Sequence, residues 1–134
     1  MASEDTLVIC KPDAVRRGLV GDILSRLERK GLVIQEMRMM RLSRDLAGQH
    51  YAEHTDKPFF GELVDFITSG HVVVARVTGE SAIGVVRILM GPTDPAEAPP
   101  GTIRGDLATI ITENLVHGSD SPESAKRELD LFFA

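Results

Sequence analysis

The sequence predicts an α+β fold of the ferredoxin-like (split βαβ) kind, in which helices pack over a four-stranded antiparallel sheet. Four short apolar segments have the composition of strands, and helical segments separate them in the order β-α-β-α-α-β-α-loop-β-α. The chain has 134 residues, the size of one domain and too few for a large parallel sheet. We therefore expect a single domain over residues 1–134, built on one small sheet.

The first third of the chain predicts a strand, a helix and a longer strand. Residues 6–10 (TLVIC) are apolar and partly β-branched, and residues 11–13 (KPD) end this strand in a turn. Residues 20–30 carry apolar side chains at helical spacing, and Gly31 follows where glycine commonly ends a helix. Residues 32–42 (LVIQEMRMMRL) are then expected to form the second strand.

The middle of the chain predicts three helices around one strand. Ser43 has the side chain of a helix cap, so a helix is expected over residues 43–51. Residues 59–69 and 81–91 show apolar side chains at helical spacing. Between them, residues 71–77 (HVVVARV) give the clearest strand pattern in the chain.

The last third begins with a segment that we expect to be irregular. Residues 91–106 (GPTDPAEAPPGTIRGD) contain four prolines and three glycines, and long irregular segments in compact domains are usually functional or disordered. A short strand is expected over residues 115–117. Residues 121–123 (SPE) then open a final helix, with a capping hydroxyl, a proline at the first helical position and an acid in the first turn.

Composition excludes several functional classes. The formal net charge is −5 and the pI is near 5.3, which argues against general binders of nucleic acid or anionic membranes. The single cysteine, Cys10, excludes an intrachain disulfide. The acidic N-terminal residues lack the pattern of a signal peptide, and no apolar run has the length of a membrane span. A soluble cytoplasmic protein is expected.

An acidic protein that handles an anionic substrate must concentrate its few cations. Lys11, Arg87 and Arg104 stand at or near the ends of predicted core elements, although solvated surface charge is the ordinary explanation for any one of these cations. Thr93 lies in the same proline-rich segment as Arg104. The sequence contains no G-x-x-x-x-G-K-[ST] or G-x-G-x-x-G motif. A bound phosphate would therefore be contacted mainly by side chains rather than by a glycine-rich backbone loop.

His117 raises the central functional question. It lies in NLVHGSDS (residues 114–121), where the last predicted strand runs into a turn. One interpretation is a packed histidine whose ring nitrogens are satisfied. The other is a nucleophile held on a rigid strand end, since a neutral imidazole is available near pH 7. These residues alone leave both interpretations open.

Other motifs suggest weaker alternatives. His50, Glu53 and His54 match the H-x-x-E-H pattern of inverted zinc metalloproteases, but a third ligand is not evident. Residues 18–21 (GLVG) match the G-x-x-G loop of KH RNA-binding domains, against the acidic balance of the chain. Phe59 begins an apolar helix, where either core packing or base stacking is possible.

Four segments together resemble the nucleoside diphosphate kinase family. They are TLVICKPDAVRRGLVG, HYAEHTDKPFFGELVDFITSG, GPTDPAEAPPGTIRGD and NLVHGSDSPESAKRELDLFF, and they follow one another over nearly the whole chain. The resemblance implies phosphoryl exchange between nucleoside triphosphates and diphosphates through a phosphohistidine, with ping-pong kinetics and broad base tolerance. His117 matches the family's nucleophile, phosphorylated at its pros nitrogen, Nδ1.

The resemblance also implies roles for the residues around His117. Lys11 and Asn114 look like sugar contacts, Phe59 and Ile111 like the surfaces on either side of the base, and Ser119 and Glu128 like the groups that steady the histidine. The expected contacts on the phosphate side are Lys11, Tyr51, Arg87, Thr93 and Arg104.

Cofactor and partners follow from the same resemblance. Mg²⁺ is expected to arrive on the nucleotide phosphates, with no protein ligand of its own. A homo-oligomer is expected, a hexamer by preference and a tetramer as the alternative, with no membrane and no stable nucleic-acid partner. A scaffold or nucleic-acid-binding role on the same fold is the competing function, and the presence of Lys11, Arg104 and His117 together argues against it.

Overall fold

Four antiparallel strands form one sheet in the order β2-β3-β1-β4 in the computed structural model, which describes residues 3–133. Strands β1 and β3 lie at the centre, and β2 and β4 form the two edges. This order is that of the split βαβ, ferredoxin-like fold, so the predicted fold class is confirmed. The strands are β1 (Ser3–Cys10), β2 (Val33–Met40), β3 (Val72–Glu80) and β4 (Val116–Gly118).

Helices cover both faces of this sheet. Along β1, Leu7 and Ile9 enter the core formed with α3, α4 and α7, whereas Val8 and Cys10 enter the core formed with α2, α5 and α6. Because side chains alternate along a strand and both faces are covered, residues 6–10 are apolar almost throughout. The helices are α1 (Pro12–Arg16), α2 (Val20–Arg29), α3 (Arg44–His50), α4 (Phe60–Ile67), α5 (Ala82–Met90), α6 (Ile103–Leu107) and α7 (Pro122–Phe133).

The prediction was wrong where polar or very short segments are regular. β1 begins at Ser3 rather than Thr6 and β3 continues to Glu80 rather than Val77, because Ser3 pairs with Glu80 at the end of the ladder. The turn expected after β1 is helix α1, with Pro12 in its first turn. A polar strand end and a five-residue helix show no apolar periodicity, so the sequence pattern predicts neither of them.

The proline-rich segment is also more regular than expected. A 3-10 helix spans Pro95–Glu97, and the side chain of Asp94 accepts a hydrogen bond from the Ala96 amide. Helix α6 follows, and the Thr102 hydroxyl accepts from the Gly105 amide at 2.9 Å. These two capped turns give residues 91–106 a regular local structure in place of the irregular one that was expected.

Two predicted helix caps are confirmed. The Ser43 hydroxyl accepts from the Leu46 amide at 3.0 Å, and the Ser121 hydroxyl accepts from the Ser124 amide at 3.1 Å. The second cap fixes the start of α7, the longest helix, which carries the buried acid Glu128. Within residues 3–133, every helix is too short or too polar to cross a membrane.

Candidate active site

His117 lies in the middle of β4, opposite Ile9 of β1, and its ring contacts an acid on α7. Its Nε2 is 2.9 Å from Oε1 of Glu128. The Ser119 hydroxyl donates to the same oxygen at 2.7 Å and accepts from the Leu7 amide at 3.2 Å. Because the contact engages Nε2, the ring nitrogen that remains available for chemistry is Nδ1.

Glu128 is buried but ionised. Burial, the largest single influence, would raise the pKa of its carboxyl, yet the hydrogen bond from His117, the electrostatic attraction to that ring and the hydrogen bond from Ser119 together hold the pKa below its ordinary value. Arg127 adds a positive charge, with Nη2 at 3.6 Å from Oε2 of Glu128. The carboxylate therefore accepts a hydrogen bond from the N–H at Nε2 of His117, which leaves the lone pair of the imidazole on Nδ1.

A chain of polar contacts runs from the end of β1 to the proline-rich segment. Lys11 Nζ donates to Oδ1 of Asn114 at 2.9 Å, and Nδ2 of Asn114 donates to the Thr93 carbonyl at 3.0 Å. Burial, and next the charge of Arg104, lower the pKa of Lys11 to about 8, while Asp13 opposes the change. Lys11 is thus charged at pH 7 but close to losing its proton.

Arg104 is a buried cation that joins the proline-rich segment to β4. Its guanidinium donates to three carbonyls, those of Asn114 at 3.1 Å, Gly91 at 2.9 Å and Val116 at 2.7 Å. Burial, and then the charge of Arg87, lower its pKa to about 10, so the group stays charged near neutral pH. Arg87, which lies on α5, itself donates a hydrogen bond to a carbonyl of β4.

Two adjoining cavities contain the predicted site. A cleft of about 270 Å³ is lined by His117, Glu128, Arg87 and Arg104, and is rich in cations. A larger cavity of about 670 Å³ is mostly apolar, with Phe59 and Ile111 in its lining. Both cavities share four lining residues: Lys11, Tyr51, Thr93 and Asn114.

The structure therefore brings the predicted residues together. All of them line one or both cavities except Ser119, which is buried behind Glu128. Phe59 is 44% exposed at the start of α4, so it is not a core residue in this chain. A cation-rich cleft that opens into an apolar cavity suits a ligand with an anionic end and an aromatic end.

A family model described as "Nucleoside diphosphate kinase" matches residues 4–134 of the chain. The chain belongs to the nucleoside diphosphate kinase family. The resemblance seen in the four sequence segments is thereby confirmed, and so is the predicted activity. This protein is a kinase that transfers phosphoryl groups between nucleotides, and it binds nucleoside diphosphates and triphosphates.

Curated relatives and solved structures agree with this assignment. A nucleoside diphosphate kinase of Rubrobacter xylanophilus is 68% identical over 130 residues, which cover 97% of this chain and 98% of the relative. The kinase of Halobacterium salinarum, solved in complex with CDP, has a TM-score of 0.95 at 51% identity, with 98% of this chain and 88% of that one covered. The Aquifex aeolicus kinase gives 0.97 at 45% identity, covering 99% and 96%.

The structure does not assemble the zinc-protease motif of the H-x-x-E-H segment. Among residues 3–133, the one group of side chains spaced to hold a metal ion consists of His50, His117 and Glu128, without Glu53 or His54. His50 closes α3 with its ring 4.6 Å from that of His117, edge to face. Sequence reasoning missed this contact because it joins positions far apart in the chain.

The cleft also contains residues that were not predicted to line it. His54 and Arg127 both reach it, and Arg127 pairs with Glu53 at 3.1 Å. His54 was visible as a polar residue near Tyr51, but no spacing rule ties it to His117, which is distant in the chain.

Proposed function

We propose that this kinase moves the terminal phosphoryl group of a nucleoside triphosphate to Nδ1 of His117 and then to a nucleoside diphosphate, maintaining the pools of NTPs and dNTPs. The Nδ1 lone pair forms a bond to the γ-phosphorus while the bond to the β–γ bridging oxygen breaks, and the diphosphate leaves with that electron pair. A terminal oxygen of the second diphosphate then takes the phosphoryl group back from Nδ1.

The observation that carries this proposal is the contact between His117 and Glu128. An ionised carboxylate at 2.9 Å holds the proton on Nε2 in both halves of the reaction and stabilises positive charge on the ring when Nδ1 is phosphorylated. Ser119 fixes that carboxylate from behind at 2.7 Å. The nucleophile is thus oriented by a rigid strand and a rigid helix.

The charges of the cleft support phosphate binding. Lys11, Arg87 and Arg104 line it in a chain with an acidic net charge, so cations are concentrated where the transferred group would develop charge. Burial, and then Glu128, raise the pKa of Tyr51 to about 12, so its hydroxyl stays protonated and can donate to a phosphate oxygen. Thr93 adds a second hydroxyl at the rim.

Broad base tolerance follows from the apolar cavity. Phe59 and Ile111 offer a ring face and an aliphatic side chain, and stacking on such surfaces accepts every base. Lys11 and Asn114 already contact each other at 2.9 Å at the junction of the cavities, where the sugar hydroxyls would lie. Ribose and 2′-deoxyribose should both be accepted.

Mg²⁺ is proposed to bind through the nucleotide rather than through the protein. A hard cation prefers several oxygen ligands, whereas the group of side chains spaced for a metal ion among residues 3–133 has two imidazoles and one carboxylate. When bound to the phosphates, Mg²⁺ would neutralise part of their charge. The protein's own part is to bind and orient the phosphates with its cations.

Assembly is proposed to use the outer edge of β2. Val33, Met37 and Met39 are 53%, 54% and 62% exposed on this edge strand, which pairs with β3 on its other side. An exposed apolar edge strand is a template for pairing with another chain. A second copy joined there would give the dimer from which the expected hexamer, or alternatively a tetramer, is built.

Initial-rate kinetics with ATP and GDP test the proposed mechanism. A phosphohistidine intermediate predicts parallel lines in double-reciprocal plots, and His117→Gln should abolish the exchange. His71→Gln, at an exposed position before β3, is the matched control and should keep normal rates. Intersecting lines, or exchange that survives in His117→Gln, would contradict a covalent intermediate on this residue.

A further inference from the structure

His50 is a buried polar residue that the phosphoryl-transfer mechanism does not use. Its side chain is 4% exposed at the end of α3, and neither ring nitrogen has a hydrogen-bond partner within residues 3–133. Buried polar atoms are nearly always paired, so an unpaired imidazole needs an explanation. Its ring lies edge to face against His117, with 4.6 Å between the ring centroids.

We propose that His50, His117 and Glu128 form an inhibitory zinc site in the phosphate cleft. One ligand atom from each residue lies within 4.8 Å of the other two. Tetrahedral zinc with bonds of about 2 Å separates its ligand atoms by about 3.3 Å, so small side-chain movements would close the site. Two imidazoles and a carboxylate are the protein ligands of open zinc centres, and the cleft leaves room for a fourth ligand.

The positions of the ligand atoms favour metal binding. Neither ring nitrogen of His50 has a hydrogen-bond partner within residues 3–133, so the ring can offer a lone pair to a metal ion. Oε1 of Glu128 lies 2.9 Å from Nε2 of His117, so the carboxylate stands beside the ring nitrogen that zinc would take. Binding there requires the proton on Nε2 of His117 to leave that atom.

Displacement of that proton gives the site its inhibitory character. With zinc on Nε2, a neutral His117 ring carries its proton on Nδ1, so the atom proposed as nucleophile loses its lone pair. The nearby positive charges of Lys11, Arg87, Arg104 and Arg127 oppose the binding of a dication. Binding should therefore be weaker than at a closed structural zinc site and reversible with a chelator.

Equilibrium dialysis of nucleotide-free protein against buffered zinc tests the site itself. Wild type should bind one equivalent, and His50→Phe, which keeps a ring but loses both nitrogens, should bind more than about tenfold more weakly. His71→Phe changes an exposed histidine outside the cleft and should bind within twofold of wild type. Zinc binding that is unchanged in His50→Phe, or absent from wild type, would overturn the site.

Cobalt spectroscopy on wild type gives an answer that does not depend on a folded variant. Four-coordinate Co²⁺ in this site should produce strong visible absorption that zinc abolishes. Weak absorption of the six-coordinate kind throughout the titration would overturn the proposed ligand set. His50→Gln serves as a second variant and should lose the strong bands.

The inhibitory effect rests on the proposed function. Its test distinguishes a failure of the zinc site from a failure of the proposed phosphotransfer mechanism. At a fixed free zinc concentration with excess Mg²⁺, phosphotransfer by wild type should fall at least about tenfold, while His50→Phe should keep most of its own zinc-free rate. Zinc bound at these ligands without inhibition would refute the assignment of Nδ1 of His117 as nucleophile. Inhibition that is equal in both proteins would refute the role of His50.

Discussion

The two edges of the sheet are built for different purposes. At β4, His117 and the adjoining Ser119 each contact Oε1 of Glu128, at 2.9 and 2.7 Å, and the three side chains are half-buried or buried. At β2, Met37 and Met39 are more than half exposed and the outer side of the strand has no neighbour in the described chain. One edge thus positions a reactive group with paired polar contacts, and the other offers apolar surface suited to assembly.

The comparison predicts that changes at the β4 edge have the largest effect on the catalytic rate. Glu128→Gln should lower kcat by about 10²- to 10⁴-fold, because an amide can donate to Nε2 and so favour the ring form with a proton on Nδ1. Initial rates with ATP and GDP measure the effect. Glu123→Gln, an exposed position on the same helix, is the control and should stay near the wild-type rate. A Glu128→Gln enzyme within threefold of wild type would remove the carboxylate from the mechanism.

The second prediction concerns what holds the β4 edge in place. Arg104→Leu leaves three carbonyls without their donor, so the free energy of unfolding should fall by about 3 kcal/mol. Arg104→Lys keeps the charge but not the planar fork of donors, and should recover only part of the loss.

Urea unfolding measures this loss, with the exposed Arg29→Leu on α2 as the control. That control should change stability by less than about 0.5 kcal/mol. If Arg104→Leu is as stable as the control, the contacts to the three carbonyls are not what fixes the proline-rich segment.

The third prediction uses the pH dependence of Lys11. Its folded-state pKa of about 8 lies below its unfolded value of about 10.5, so the cation is lost from the native site as pH rises through 8. The rate constant kcat/KM should therefore fall above pH 8, by about tenfold per pH unit at most. The same depression makes the contribution of Lys11 to folding stability increase from pH 8 to about 10.5, because the unfolded chain then binds more protons.

Steady-state rates between pH 7 and 10 check the third prediction. Lys11→Arg keeps a cation throughout this range, so its residual kcat/KM should show no fall near pH 8. An identical fall in the wild type and in Lys11→Arg would assign the titration to another group.

The smallest expected effect on chemistry lies at the β2 edge. Met37→Lys together with Met39→Lys should reduce the mass measured by light scattering to that of a smaller species, because charge on an edge strand opposes pairing. Gln49→Lys, an exposed change on α3, is the control and should keep the wild-type mass. An unchanged mass in the double variant would place the interface elsewhere.

The sequence predicted the fold because its core elements have clear periods. Residues 6–10 and 72–77 lie in strands as predicted, and the Ser43 and Ser121 hydroxyls cap helices as expected. The short α1 and α6 were missed because five residues are too few to show a period. Helix α1 begins at Pro12, and α6 begins at the Thr102 cap. Neither helix is marked by apolar spacing.

The site was predictable only in part, because its decisive contacts join distant elements. The family resemblance brought His117 and Glu128 forward, but their 2.9 Å contact depends on how α7 packs over β4. The ring of His50, which has no hydrogen-bond partner in the described part of the chain, packs against His117 without any sequence signal, because this contact arises where the end of α3 meets the edge of the sheet. Tertiary packing, rather than local propensity, decides both contacts.

The most direct test of the account is to locate the phosphoryl group on the enzyme. After incubation with γ-labelled ATP and Mg²⁺, the protein should carry an acid-labile, alkali-stable phosphate that mass spectrometry places on His117, with ³¹P NMR assigning it to Nδ1. His117→Ala should carry no label, whereas His71→Ala should be labelled like wild type. Label that persists in His117→Ala, or that resides on another residue or on Nε2, would contradict the account.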